Sequence, residues 1–326
     1  MTAIELRGVT KEFAEVTAVR DLDLTVDDGE VYGFLGPNGA GKSTTIDMLL
    51  DLVRPTAGTV HVLGADVATD GVEIRRRTGV LPDGFSVYDR LSGRKHVEFA
   101  VESKEADDDP DALLDRVGLA DAADRPAGDY SKGMRQRLAL AMALVGDPDL
   151  LVLDEPSSGL DPAGAKEMRE IVRAEAERGA TVFFSSHVLE QVDAVCDRVG
   201  ILRDGELVAE DSVEGLREAV GGEETLEVAA AGADDDAVAA VRALDGVSGV
   251  SRDGDELVVN CASDAKTDVI AALEDAGVTV ADFHTREASL EDLFLAYTEG
   301  DAATRDADSD VSASADDEPA AEEVDR

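Results

Sequence analysis

Segment 36–43 has the residue types and spacing of a phosphate-binding loop. It reads Gly-Pro-Asn-Gly-Ala-Gly-Lys-Ser and fits the pattern GxxxxGK[ST] at every defined position. In such a loop the glycines turn backbone N–H groups toward phosphate oxygens, the lysine adds positive charge, and the serine hydroxyl can bind Mg²⁺. An ordinary strand-to-helix turn is the alternative, but it does not require the whole pattern. We therefore predict that ATP and Mg²⁺ bind here. The predicted nucleotide-binding residues of this loop are Gly36, Pro37, Asn38, Gly39, Ala40, Gly41, Lys42, Ser43 and Thr44.

Two carboxylates follow the apolar run 150–153. They are Asp154 and Glu155. In a P-loop ATPase the first carboxylate holds Mg²⁺ through water, and the second polarises the water that attacks the γ-phosphate. An apolar strand that ends in Asp-Glu is often only a strand that meets solvent, but the phosphate-binding loop upstream favours the catalytic interpretation. We therefore predict Ser43 and Asp154 as metal ligands and Glu155 as a catalytic residue.

Short apolar runs alternate with helical patterns through about residue 210 and must position these side chains. The runs are apolar along their whole length, and each precedes a helix, which predicts a mostly parallel sheet buried between helices. Segment 91–119 breaks this rhythm and predicts a helical insert over about 84–147. The predicted strands are 31–35, 150–153 and 181–185, the helices that follow them are 42–52, one after Pro162 and one from residue 188, and the insert has helices at 93–103, 109–117 and 138–145.

A second pattern begins after Gly221 and Gly222. Its order, βαβ followed by βαβ and a helix, predicts a small α+β domain of ferredoxin-like type. The predicted strands are 225–228, 247–251, 256–260 and 278–283, and the helices are 235–244, 265–276 and 290–297. From residue 301 onward Ala, Asp, Glu and Ser dominate without apolar periodicity, which is typical of a disordered acidic tail. The predicted domains are therefore an ATP-binding α/β domain over 1–220, the small domain over 223–300 and the tail over 301–326.

Composition limits the classes of function. The chain has 326 residues, is 44% hydrophobic, and carries 73 acidic against 30 basic side chains, a formal net charge of −43. The apolar content excludes global disorder, and the charge disfavours nucleic acid as a partner. Such an acidic excess resembles that of cytosolic proteins from extreme halophiles, in which molar salt screens the repulsion. Cys196 and Cys261 lie far apart and predict neither a disulfide framework nor a zinc site. No apolar run approaches the length of a membrane helix.

The octet 130–137, Tyr-Ser-Lys-Gly-Met-Arg-Gln-Arg, resembles the LSGGQ signature of the ATP-binding cassette (ABC) family. Ser131 and Gly133 match the signature, whereas Lys132 and Met134 depart from it in the manner of the ABC-2, or daunorubicin-exporter-like, branch. The resemblance implies two cassettes that face head to tail. Each ATP would then contact Lys42 of one cassette and the signature of the other.

Other ABC-like positions occur in the expected order. Segment 158–161, Ser-Gly-Leu-Asp, resembles the D-loop, and by this resemblance Asp161 belongs to the composite nucleotide site. His187 resembles the switch histidine that contacts the γ-phosphate and orients Glu155. Phe13 matches the aromatic residue that stacks on adenine, although a core or edge phenylalanine is the alternative. Asp83 stands where the family usually has Gln, so it is either a further metal ligand or a solvated loop aspartate.

The resemblance covers about residues 2–215 and implies the ATP-hydrolysing subunit of an ABC transporter, of exporter type. Its partners would be a second cassette and a separate membrane permease, whose coupling helix would contact the stretch around 83–104. The chain would then be cytoplasmic and peripheral on the inner face of the membrane. The C-terminal unit is similar to the small domain of ABC-2-type proteins, including the stretch 289–294. A soluble ABC ATPase that acts on nucleic acid or ribosomes, and a nucleotide switch without turnover, are the alternatives.

Overall fold

The structure, a computed structural model, describes residues 2–187, 189–219, 223–254 and 256–286. The predicted helix 290–297, the stretch 289–294 and the predicted tail 301–326 lie outside the described residues, as does the predicted domain junction at 221–222. Residue 188, where we expect a helix to begin, also lies outside them. The three-domain division with its boundaries stays a prediction.

The strands and helices alternate along most of the described chain. The strands are β1 (Thr2–Phe13), β2 (Val16–Asp27), β3 (Val31–Leu35), β4 (Ala57–Val62), β5 (Ala65–Asp66), β6 (Thr78–Leu81), β7 (Leu150–Asp154), β8 (Thr181–Ser186), β9 (Arg198–Arg203), β10 (Glu206–Ser212), β11 (Glu223–Ala231), β12 (Val247–Asp253), β13 (Glu256–Ala262) and β14 (Thr279–Arg286). The α-helices are α1 (Lys42–Leu49), α2 (Val67–Arg77), α3 (Gly93–Lys104), α4 (Pro110–Arg116), α5 (Lys132–Ala143), α6 (Pro162–Arg178), α7 (Leu189–Asp193), α8 (Val213–Ala219), α9 (Asp235–Arg242) and α10 (Lys266–Asp275).

The central sheet has the order β10-β9-β3-β8-β7-β6. All its neighbouring strands are parallel except β10, which is antiparallel to β9. Every residue of β3 and β7 is buried, because the sheet is covered on both faces. The predicted mostly parallel sheet is therefore confirmed. Since the carboxyl ends of β3, β6, β7 and β8 meet at one edge, the loops that follow these strands meet there too.

A second, antiparallel sheet has the order β2-β1-β4-β5, and the sequence pattern did not predict it. Leu22, Leu24 and Val26 of β2 are buried while the residues between them are exposed, which is the period of a half-buried strand. The inner face of this sheet packs in one core with Tyr32 and Phe34 of β3. This sheet therefore supports the strand that leads into the phosphate-binding loop.

The helical insert contains α3, α4 and α5, and no strand crosses its described segment 91–119. Val97, Leu114 and Leu138, one from each helix, are buried in a common core with the central sheet. Helix α5 begins at residue 132, not at 138 as predicted, because the Ser131 hydroxyl accepts a hydrogen bond from the N–H of Met134 and caps the helix there. Helix α1 ends at residue 49 instead of 52, and Asp51 after it has a left-handed backbone.

The C-terminal unit follows the predicted order β-α-β-β-α-β. Its sheet has the order β12-β13-β11-β14 with all neighbours antiparallel, as a ferredoxin-like topology requires. Leu226, Val259 and Leu273 are fully buried in its core. Among the described helices, none is long and apolar enough to cross a membrane.

Candidate nucleotide-binding site

The phosphate-binding loop connects β3 to α1 through backbone conformations that only glycine adopts readily. Gly39 and Gly41 have φ angles of 85° and 109°. A Cβ atom at Gly41 would lie 2.4 Å from the carbonyl oxygen of Ala18, and one at Gly36 would lie 2.5 Å from that of Leu202. The glycine spacing therefore has two physical reasons, the turn itself and the close approach of neighbouring backbone.

Lys42 lies at the start of α1 and is 7% exposed. Its Nζ donates to the carbonyl oxygen of Gly36 at 2.6 Å and to that of Pro37 at 3.3 Å. Burial lowers the pKa of Lys42, and the charges of Glu155 and Asp154 oppose that shift. The amine is thus held inside the loop and close to the two carboxylates that follow β7.

A cavity of about 180 Å³ joins the phosphate-binding loop to the predicted acidic residues. It brings together side chains from the ends of β3, β6 and β7, and Ala18 of β2 also lines it. Its lining residues are Ala18, Asn38, Gly39, Gly41, Lys42, Ser43, Thr44, Asp83, Asp154 and Glu155. The predicted residues Gly36, Pro37 and Ala40 belong to the same loop but do not line this cavity.

The acidic side of the cavity fits Mg²⁺. Asp154 is 7% exposed, and burial raises its pKa, with a further increase from the negative charges of Asp83 and Glu155. A divalent cation would relieve this crowding, and the hydroxyl of Ser43, which lines the same cavity, would offer it a further oxygen ligand. Within the described residues, no set of three or more His, Cys, Asp or Glu side chains is arranged to hold a metal alone. Mg²⁺ commonly binds through one or two carboxylates together with phosphate oxygens and water.

Glu155 and His187 meet because β7 and β8 are neighbours. The Nδ1 atom of His187 lies 2.8 Å from Oε1 of Glu155. The N–H of Glu155 donates to the carbonyl oxygen of Ser185, and its φ angle of 49° is unusual for a residue with a Cβ. This backbone conformation ends the strand and is held by its neighbours. The side chains of the predicted catalytic pair are therefore in contact.

Ser131, Gly133 and Asp161 do not line this cavity. The carboxylate of Asp161 accepts a hydrogen bond from the N–H of Gly164 at 2.9 Å and caps α6, as Ser131 caps α5. A Cβ atom at Gly133 would lie 3.3 Å from the side chain of Leu160. The signature segment and the D-loop segment thus contact each other on a separate surface of the chain.

Phe13 lies at the end of β1 and is 46% exposed. This exposure excludes the core part of the alternative interpretation and leaves the strand-edge part open. The ammonium group of Lys11 lies 4.7 Å from the centre of its ring, and the ring does not line the cavity. An exposed aromatic face at this position remains available for stacking.

Sequence reasoning missed two contributors to the site. Ala18 belongs to the unpredicted antiparallel sheet, and no local signal marks it. Gln136 is 7% exposed and donates from Nε2 to the carbonyl oxygen of Glu155 at 3.2 Å. No local signal marked Gln136, because the predicted helix began only at 138 and the burial that requires a partner for its amide comes from the tertiary structure.

Comparison with known proteins gives two family matches. Residues 19–158 match the family described as "ABC transporter", and residues 212–298 match "ATP-binding protein DrrA1-3-like, C-terminal domain". The chain is 35% identical over 315 residues to the daunorubicin resistance ATP-binding protein DrrA3 of Streptomyces coeruleorubidus, covering 94% of this chain and 99% of that protein. It is 38% identical over 306 residues to the daunorubicin/doxorubicin resistance ATP-binding protein DrrA of Streptomyces peucetius, covering 91% and 92%.

Solved structures agree with these matches. An ATP-binding subunit of an ABC transporter aligns with a TM-score of 0.63 at 27% identity, over 68% of this chain and 94% of that one. A dimeric ATP-binding cassette in a post-hydrolysis state, bound to ADP and Pi, aligns with a TM-score of 0.60 at 25% identity, over 64% and 98%. The phosphate-binding loop, the two carboxylates and the parallel sheet thus occur together in a chain that belongs to the ABC transporter family as an ATP-binding, ATP-hydrolysing subunit, in the branch of the daunorubicin-resistance ATP-binding proteins.

Proposed function

We propose that the chain hydrolyses ATP in the cavity between the phosphate-binding loop and the carboxyl ends of β6 and β7. The observation that carries this proposal is the contact of 2.8 Å between His187 and Glu155 beside the buried amine of Lys42. Backbone N–H groups of the loop bind the phosphates, and Lys42 neutralises their charge. These interactions orient the γ-phosphate toward Glu155.

Glu155 acts on the attacking water, and His187 holds Glu155 in place. A carboxylate that accepts a hydrogen bond from the water increases its nucleophilicity, and it is best aligned when a second group fixes its rotamer. The imidazole of His187, which is 56% exposed, also lies at the mouth of the site, where it can donate to the γ-phosphate. When bound, Mg²⁺ would neutralise phosphate charge, held by Ser43 and Asp154 with Asp83 beside them.

The signature segment serves the site of a second cassette. Ser131, Gly133 and Asp161 lie outside the cavity of their own chain, so they contribute to ATP binding only if another chain faces them. The dimeric cassette among the similar structures supports this arrangement. The second cassette is either another copy of this chain or a related one.

A groove of about 730 Å³ provides a docking surface for a membrane permease. It is lined mostly by apolar side chains of α1, the segment after β6, α3 and α5. The predicted contact stretch 83–104 contributes Asp83, Phe85, Ala100 and Lys104 to it. Leu52, which is 64% exposed, lines it, and the predicted contact stretch 83–104 also carries the exposed side chains Tyr88 and Phe99 at 70% and 61% exposure. Ser43, Asp83 and Asp154 line both this groove and the ATP cavity, so a segment that docks here reaches the predicted Mg²⁺ ligands.

The transporter works as an exporter. Relatives that support this direction include the fluoroquinolones export ATP-binding protein of Mycobacterium tuberculosis, which is 42% identical over 212 residues, 64% of this chain and 70% of that protein. The chain is attached through the permease to the cytoplasmic face of the membrane. Its acidic balance opposes direct adsorption to anionic lipids.

Isolation of the tagged chain from its own membranes in mild detergent and high salt tests this proposal. We expect a multi-span membrane protein in the eluate and ATP turnover that falls at least about a hundredfold in Glu155→Gln, because a general base contributes that much or more. Lys166→Met, a surface substitution on α6, is the control. Recovery of ribosomes or DNA-bound proteins without a permease would contradict the transporter role, and turnover that is independent of Glu155 would contradict the catalytic role.

A further inference from the structure

One face of α5 contacts the turn that carries Glu155. Lys132 and Gln136 are four residues apart, so their side chains lie on the same face of the helix. The Nζ of Lys132 donates to Oγ of Ser158 at 3.0 Å, and the Nε2 of Gln136 donates to the carbonyl oxygen of Glu155 at 3.2 Å. A single helix therefore holds the turn after β7 at two points.

The contact from Gln136 reaches a backbone that needs support. Glu155 has a positive φ of 49°, a conformation that a residue with a Cβ keeps only when its surroundings hold it. Its carbonyl oxygen also accepts the N–H of Ser158 at 3.0 Å. Because Gln136 is 7% exposed, its amide donates to this carbonyl in a site largely closed to water. These two donors therefore hold the backbone from which the Glu155 carboxylate projects.

The contact from Lys132 depends on the absence of a side chain at Gly159. A Cβ atom there would lie 2.3 Å from Cδ of Lys132, and the φ of Gly159 is 78°. The aliphatic stem of Lys132 thus lies directly on the backbone of the turn while its amine reaches Ser158. A Cβ atom at Gly133 would lie 3.4 Å from the carbonyl oxygen of Gly159, so the first turn of α5 and this segment are packed together.

We infer that Lys132 and Gln136 are positioning residues that align Glu155 for ATP hydrolysis and connect it to the signature end of α5. This inference rests on the proposed function, in which Ser131 and Gly133 contact the ATP of the facing cassette. A shift at that end of the helix moves the donors of Lys132 and Gln136, and with them the turn that bears Glu155.

Steady-state ATP hydrolysis by the full chain in high salt tests the inference. We expect kcat to fall about ten- to a hundredfold in Gln136→Leu and about tenfold in Lys132→Met, since small misplacements of a reacting group cost rates of this order. The KM for ATP should stay within about twofold, because neither side chain lines the ATP cavity. Lys132→Arg retains a donor and should restore turnover, and Lys166→Met removes the same charge elsewhere.

The Lys132–Ser158 contact has its own test. If Lys132 aligns Glu155 through Ser158, the double variant Lys132→Met with Ser158→Ala should have a kcat no lower than that of the slower single variant. Losses of kcat that multiply in the double variant would overturn the inference, and so would a KM that rises as kcat falls. A wild-type kcat in both Gln136→Leu and Lys132→Met would overturn it as well. Lys132 is exposed, so its variants provide the test even if Gln136→Leu does not fold. Absence of Glu155-dependent turnover in the wild-type chain would instead overturn the proposed function, and this inference with it.

Discussion

The ATP cavity and the signature surface, formed by segments 130–137 and 158–161, differ in how complete they are within one chain. Lys42 and Asp154 are each 7% exposed and enclosed by neighbouring strand ends, so the cavity already has its charges in place. The hydroxyl of Ser131 and the carboxylate of Asp161 instead cap the helices that follow them, and both lie outside the cavity. We therefore propose that the cavity binds ATP by itself, whereas the surface with Ser131 and Asp161 needs a second chain. ATP binding and ATP turnover should therefore respond differently to mutation and to salt.

Substitution of Gly133 should have the largest effect, because it should abolish turnover without changing ATP binding if the two regions differ as described. We expect Gly133→Asp to lower turnover at least about a hundredfold, because it places a negative charge where the facing ATP brings its phosphates, and lost electrostatic stabilisation costs rates of that order. ATP binding by the separate chain should be unchanged, since Gly133 does not line the cavity. Turnover assays and equilibrium binding of ATP measure the two effects.

Complementation provides the control for that result. A mixture of Gly133→Asp with Lys42→Met chains contains heterodimers in which one composite site has neither substitution. Partial recovery of turnover on mixing would support two facing cassettes. A mixture no more active than either variant alone, although heterodimers form, would show that each chain completes its own site.

The next largest effect should come from salt, which should change turnover more than ATP affinity. The chain carries a formal net charge of −43, so bringing two copies together adds repulsion to that within each chain. Raising KCl from about 0.1 M to about 2 M reduces the screening length from about 10 Å to below about 3 Å. We expect the thermal midpoint of unfolding to rise by about 5 °C or more. Over the same salt range, the fold increase in turnover should be several times larger than the fold increase in ATP affinity.

Full activity and stability in dilute buffer would contradict the halophilic interpretation of the composition. Equal salt dependence of ATP affinity and turnover would contradict the distinction between a self-contained cavity and a shared surface. A control titration with an uncharged osmolyte at matched water activity distinguishes charge screening from dehydration, since only the salt shortens the screening length.

The same distinction explains what the sequence could predict. The phosphate-binding loop and the Asp154–Glu155 pair are local patterns, and both follow buried strands where the patterns predict them. The antiparallel sheet and the contact between Gln136 and Glu155 depend on segments far apart in the chain. Strand β1 pairs with both β2 and β4 through registers broken by bulges, so its apolar spacing gave a weak signal.

Substitution of Phe13, the predicted adenine-stacking residue, should have a smaller effect. Phe13→Ala should raise the KM for ATP about two- to tenfold with little change in kcat, because an aromatic stack contributes about 0.5–1.5 kcal/mol. Lys11 already lies over the ring, so adenine would use the opposite face. Phe13→Tyr should preserve the KM. An unchanged KM in Phe13→Ala would assign the residue to the strand edge alone.

The smallest effect should come from Asp83, which lies where the cavity meets the docking groove. Its negative charge helps burial to raise the pKa of Asp154, so Asp83→Gln should lower that pKa. Asp154 would then stay ionised to lower pH, and the acid limb of the turnover profile should move to lower pH. Near neutral pH we expect turnover within about threefold of wild type, since Gln also offers an oxygen to Mg²⁺. An acid limb that stays in place would mean that Asp83 is a solvated loop residue, and that the cavity's electrostatics depend on Asp154, Glu155 and Lys42 alone.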